Sequence, residues 1–223
     1  MSLLDCVELQ THAAPDATVI VLHGLGADGY DFVPIVKELE ALGAPAARYV
    51  FPHAPKIAVT INNGYVMRAW YDILGTDLVR REDEAGLRRS QQQVEALIER
   101  EVARGVPASR IVLAGFSQGG AITLQTGLRQ TQPLAGLVAL SCYLPLAPLF
   151  ADERAAASAQ VPVFLAHGSS DPVVPLARGA AARDQLKQLG YAVEWHEYPM
   201  PHSVCGEEVE DIATFLKRVL ARD

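Results

Sequence analysis

One serine stands between two glycines in AGFSQGG (114–120), directly after the apolar run RIVLAGF. Read alone, the pattern fits a tight turn as well as a nucleophile on a strained bend, because so short a motif recurs by chance. A serine nucleophile makes further demands on the chain. It needs a base to take its proton, and the base needs an acid to orient it. Where the serine lies between a strand and a helix, the partners follow in the order Ser, Asp or Glu, then His. Past Ser117, HGSSDPVVP places Asp171 beyond an apolar run and before a proline, and YPMPHSVCGEE places His202 in a proline-flanked loop. Each has a plain alternative: a turn serine, an aspartate that starts a turn or caps a helix, a surface histidine. The three together, in that order and each at the end of a strand pattern, point to acyl transfer through a serine. Asp184 and Glu194 are the other acids, but they fall inside a helical and a strand pattern.

Negative charge that develops on the substrate oxygen needs donors. The helix starting near Gln118 would aim its free N–H groups and positive end at that point. A second donor should come from the loop after an early strand. VLHGLGADG (21–29) fits, with Leu25 as the candidate because its flanking glycines let a backbone N–H turn inward. The same stretch spells G-x-G-x-x-G at Gly24, Gly26 and Gly29. A dinucleotide site would also want an acidic residue ending the next strand, and YVFPHAP supplies none. Of the other histidines, His23 ends a strand, His196 lies in a strand pattern, His12 in a polar stretch and His53 in a loop. His167, directly before Gly168, reads as a buried hydrogen-bonding residue. No pair has H-E-x-x-H spacing, so neither a metal nor a cofactor is expected.

The elements that must position these residues alternate. ATVIVLHG, ARYVFP, RIVLAGF, LAGLVALSC, VPVFLAHG and AVEWHEYP read as strands. Between them, residues 31–43 set Phe32, Ile35, Val36 and Leu39 on one helical face, and 87–105 do the same with Val94, Leu97, Ile98 and Val102. Helices also follow Ser117 and Pro175, and EEVEDIATFLKRVL closes the chain. Near-continuous apolar strands separated by helices predict one α/β domain with a mostly parallel sheet covered on both faces. In such a sheet ligands bind beyond the carboxyl ends of the strands, so His23, Ser117, Asp171 and His202 should converge on one edge.

Composition is consistent with this. Half of the 223 residues are hydrophobic and 20% are charged, which supports a large core and argues against disorder. A net charge of −7 with no Lys/Arg-rich run excludes a nucleic-acid partner. Cys6, Cys142 and Cys205 are too scattered for a disulfide framework or a zinc ribbon. With no basic, apolar leader and no run long enough to span a bilayer, a cytoplasmic protein without integral membrane association is expected.

The set HGLGADG, FPHAP, WYDI, GFSQGG, HGSSDPVVP and MPHS resembles the phospholipase/carboxylesterase family, from about Thr18 to Leu220. The resemblance implies an α/β-hydrolase fold without a large cap domain, hydrolysing a small-molecule ester or thioester without a cofactor. It makes Ser117 the nucleophile, Asp171 the acid and His202 the base, with the N–H groups of Leu25 and Gln118 as the oxyanion hole. Ile73, Tyr143 and Val173 match positions that line the family's acyl pocket. Two departures favour a bacterial-type carboxylesterase over an acyl-protein thioesterase or lysophospholipase: HGLGADG in place of HGLGD, and Tyr143 where tryptophan is common.

CYLPLAPLF (142–150) opens a connection too short for a cap yet heavily apolar. Tyr143 and Leu144 are expected to wall the pocket. Leu146, Leu149 and Phe150 are expected either to fold onto the core or to form an exposed patch that pairs two subunits as a homodimer.

Overall fold

The computed structural model describes residues 3–75 and 82–221. Strands and helices are numbered in chain order. β1 (Cys6–Gln10), β2 (Thr18–Leu22), β3 (Arg48–Pro52), β6 (Ile111–Phe116), β7 (Gly136–Leu140), β8 (Val163–Gly168) and β9 (Val193–Tyr198) form a seven-stranded sheet. Their spatial order is β1-β3-β2-β6-β7-β8-β9. β1 runs antiparallel to β3, with Cys6 opposite Pro52, and all other neighbours are parallel. A separate hairpin joins β4 (Lys56–Val59) to β5 (Tyr65–Arg68).

The five inner strands are largely buried on both faces, and their alternation sorts side chains into two cores. Ile20, Leu113, Leu137 and Leu165 point to one face, where they meet α2 (Glu84–Ala103), α3 (Gln118–Gly127) and α5 (Leu176–Gln188). Val19, Val112, Val138 and Phe164 point to the other, where α1 (Ile35–Ala41) and α6 (Gly206–Val219) lie. This period of two inside wholly apolar runs is what a parallel sheet sandwiched between helices requires. The architecture is the α/β-hydrolase fold, and the described residues contain no large cap.

Several expectations need correction. The first helix is shorter than 31–43, because residues 30–36 advance through tight i→i−3 bonds (Val33 to Tyr30, Ile35 to Phe32) before α1 begins after Pro34. The buried face of α2 runs through Leu87, Ser90, Val94, Leu97, Ile98 and Glu101, while Val102 is exposed. Glu101 takes that inner place because Arg48 Nη1 donates to it at 2.7 Å and Thr18 Oγ1 at 3.1 Å, with Arg100 and Arg104 alongside. In the 142–150 segment, α4 (Ala147–Glu153) folds back onto the core. Phe150 is fully buried beside Tyr191, with the Arg129 guanidinium 5.5 Å above its ring. Leu146 is buried too, so the expected interface patch shrinks to Leu149, 40% exposed.

Candidate active site

Ser117 sits at the turn between β6 and α3 with φ 55° and ψ −118°. A left-handed φ on a residue with a Cβ costs roughly 1–3 kcal/mol and persists only where the surroundings enforce it. They do so here by close approach. A Cβ on Gly115 would collide with the backbone of Gly119, and one on Gly119 with the Leu22 carbonyl. The two glycines therefore let α3 press against β6 and the end of β2. The Ser117 N–H donates to the Leu140 carbonyl at 2.9 Å, tying the bend to β7.

Asp171 follows β8 and is nearly buried. Its Oδ1 accepts the N–H groups of Val173 and Val174 at 2.8 and 2.9 Å, so its own loop orients the carboxylate. Its Oδ2 lies 2.6 Å from His202 Nδ1, and His202 Nε2 lies 2.9 Å from Ser117 Oγ. A carboxylate can only accept, so Nδ1 carries the proton and Nε2 is free to receive one from Ser117. His202 is held by the loop after β9, with its ring 4.6 Å from that of Phe116. The three residues picked out by order and strand position thus meet in one hydrogen-bonded chain. Asp184 and Glu194 do not join it: Asp184 pairs with Arg183, and Glu194 with His196 and Arg218.

The backbone N–H of Leu25 and that of Gln118, the first residue of α3, have no hydrogen-bond partner among the described residues. Leu25, Gln118, Ile73, Tyr143 and Val173 all line one cleft with Ser117, about 470 Å³ in volume. Tyr71, from the WYDI motif, also lines it, as do Ile61 and Arg178, to which no motif points. Its rim is apolar, with Val173 59% exposed.

The histidines outside the chain of three build the scaffold. His23 Nδ1 donates to the Gly24 carbonyl at 2.7 Å, its Nε2 accepts from the Ala54 N–H at 3.1 Å, and burial lowers its pKa, so the ring is kept neutral. His53 Nδ1 accepts from the Gly29 N–H at 3.0 Å, anchoring the far end of the glycine loop. Buried His167 donates Nε2–H to the Val174 carbonyl at 2.8 Å, steadying the Asp171 loop. His23 therefore reaches the expected edge as a brace for the loop that carries Leu25.

The Gln118 side chain does work that sequence reasoning missed. Its Oε1 accepts the Trp70 N–H at 3.1 Å and its Nε2 donates to the Tyr71 carbonyl at 2.8 Å. Trp70 Nε1 in turn donates to the His23 carbonyl at 2.8 Å. One side chain thus links the serine bend, the WYDI segment and the Leu25 loop. Its only signal in the sequence is an amide in a helix whose every residue is buried. Among the described residues no cluster of three or more His, Cys, Asp or Glu could hold a metal, and no helix is long and apolar enough to cross a membrane.

The family model described as phospholipase/carboxylesterase matches residues 5–220. A curated relative, acyl-protein thioesterase 1 of Neurospora crassa, is 43% identical over 215 residues, covering 92% of this chain and 88% of that protein. Among solved structures, Arabidopsis thaliana SOBER1 is 31% identical with a TM-score of 0.84, covering 92% of this chain and 99% of that one. Zea mays acyl-protein thioesterase 2 is 26% identical with a TM-score of 0.86, covering 97% and 99%.

Proposed function

The chain belongs to the phospholipase/carboxylesterase family, and from that premise we propose that it is a serine deacylase of the acyl-protein thioesterase kind, acting within one catalytic domain. The observation that carries the proposal is the run of hydrogen bonds from Asp171 through His202 to Ser117. The names of its relatives support thioester cleavage over the generic carboxylesterase reading. Three free cysteines are in keeping with a cytosolic setting.

Ser117 Oγ attacks the acyl carbonyl while His202 Nε2 takes its proton. Asp171 stays charged, fixing the ring and stabilising the imidazolium. The carbonyl oxygen gains negative charge within reach of the Leu25 and Gln118 N–H groups, which favour the tetrahedral species over the flat substrate. Collapse breaks the bond to sulfur or oxygen, and the leaving group departs with the proton from His202. Water then attacks the acyl-enzyme by the same route, releasing the acid and restoring Ser117. The acyl chain lies along Ile73, Tyr143 and Val173, and the protein that carries it stays outside the rim.

A carboxylesterase preferring short acyl groups is the second reading, favoured by the Arg178 cation over the Tyr143 ring inside the cleft. A palmitoyl-cysteine peptide assayed beside a p-nitrophenyl ester series separates the two. The first reading expects the thioester to be cleaved at a kcat/KM at least equal to that of the short esters. Ser117→Ala should lower turnover of every substrate by about 10⁴- to 10⁶-fold while leaving the fold intact. Near-normal activity in folded Ser117→Ala protein defeats both readings.

A further inference from the structure

The cleft that holds Ser117 does not end at its inner wall. Tyr143 and Arg178 line both that cleft and a second cavity of about 310 Å³. Tyr143 is a fixed part of this wall: it is buried, and its hydroxyl is 2.9 Å from that of Tyr71. Arg178, in the first turn of α5, is not fixed. Its guanidinium rests 4.2 Å from the centre of the Tyr143 ring and, among the described residues, forms no hydrogen bond or ion pair. Five N–H donors are thus left to a ring face alone.

The second cavity is lined mostly by apolar groups, among them Leu144, Ala147, Ala181 and Ala182, but it contains the carboxyl of Glu82. Glu82 Oε2 accepts the Leu146 N–H at 3.0 Å, while Oε1 is buried without a partner. Burial raises the pKa of Glu82, and the Leu146 N–H and the Arg178 charge oppose that rise. Arg178 and Glu82 thus line one cavity without being paired to each other.

We propose that Arg178 is a movable partition between the two cavities, with the Tyr143 ring as its closed seat and Glu82 as its open seat, and that the second cavity receives the distal part of a long acyl chain. This rests on the acyl-transfer reading of Ser117. Closed, Arg178 gains a cation–π contact. Open, it gains an ion pair and satisfies the orphaned oxygen of Glu82. The two seats are comparable, so burial of the distal methylenes decides between them. Short acyl groups leave the partition shut, and long ones open it.

The test is the ratio of kcat/KM for p-nitrophenyl dodecanoate to that for p-nitrophenyl butanoate, in which a loss common to both esters cancels. Arg178→Ala removes the partition at a helical position suited to alanine and should raise the ratio about tenfold, in the range that acyl-pocket contacts discriminate. Glu82→Gln removes the open seat and should lower it about threefold, the worth of a modest ion pair. The double variant should match Arg178→Ala, because a seat has no role without its occupant. An unchanged ratio in Arg178→Ala overturns the proposal. So does a Glu82→Gln effect that persists undiminished in the Arg178→Ala background. Wild-type protein that hydrolyses neither ester defeats the reading of Ser117 itself, whereas hydrolysis with a ratio indifferent to Arg178 defeats only the partition.

Discussion

In the proposed mechanism Ser117, Asp171 and His202 divide one task, and each is positioned by a different loop. The share of Asp171 can be tested without emptying the site. Asp171→Asn keeps the size of the side chain but presents an amide whose N–H₂ cannot accept from His202 Nδ1–H, so the ring loses its correct tautomer. Turnover should fall by about 10⁴-fold with KM nearly unchanged. Steady-state kinetics on a short ester measure both, and a fully active variant would place the acid elsewhere. That these three residues meet was legible because a nucleophilic site would fix their types, their order and their place at strand ends. The place of Leu25 in the cleft beside Ser117 was legible through the glycines around it. Gln118 was legible only for its backbone: which partners a buried amide finds depends on Trp70 and Tyr71, far away in sequence. Arg178 carries no local mark, since a lone arginine in a helix reads as solvated surface.

Among the elements, two helices each bury a glutamate, with opposite consequences. Glu101 on α2 is surrounded by Arg48, Arg100 and Arg104. Burial works against its charge, but the Arg48 bond and the other guanidinium groups outweigh it and lower its pKa. Glu101→Gln takes the carboxylate from Arg48, while Glu8 still holds Arg100 and Arg104, and should cost about 3 kcal/mol, lowering Tm by roughly 6–12 °C for a chain of this size. A depressed carboxyl pKa gives stability that is present above the unfolded value and lost as pH falls through the folded one. The Tm gap between wild type and variant should therefore close in acid, below the ordinary carboxylate range. Glu208 in the first turn of α6 has neither oxygen hydrogen-bonded. Burial pushes it up to about 8; the Cys205 N–H pulls down without reaching bonding geometry, and Asp211 adds to the rise. Here the folded state holds a proton that the unfolded state releases, so stability falls as pH rises from about 4.5 toward 8. Glu208→Gln should melt higher than wild type, with an advantage widening by up to about 1.4 kcal/mol per pH unit across that window. Thermal melts at pH 5, 6, 7 and 8 check this, and a constant difference would count against it. Neither glutamate was legible, because a charge on a helix reads as surface until its partners are known. The inner strands were legible because burial on both faces leaves them apolar throughout. β1 was not, since Glu8 and Gln10 interrupt CVELQ at an edge that is only half covered. The β4–β5 connection did carry a signal, the Asn63–Gly64 pair, whose positive φ angles end the 3-10 turn Thr60–Asn62 and lead into β5.

At the scale of the whole molecule, the apolar load of residues 142–150 goes inward and leaves Leu149 alone on the surface. Leu149→Glu should therefore sediment like wild type at micromolar concentration, and a shift toward a smaller species would restore the interface. The sheet also sets a schedule. Its order places β6 centrally and β9 at the rim, and His202 reaches Ser117 across 85 residues of sequence. On the ribosome, chains lengthen by about 5–20 residues per second, so the serine is made roughly 4–17 s before the histidine that is to activate it. Through that interval the nascent chain displays an elbow with no base. On the proposed mechanism it can meet a substrate without cleaving it, and its chemistry begins only when the last strand has docked.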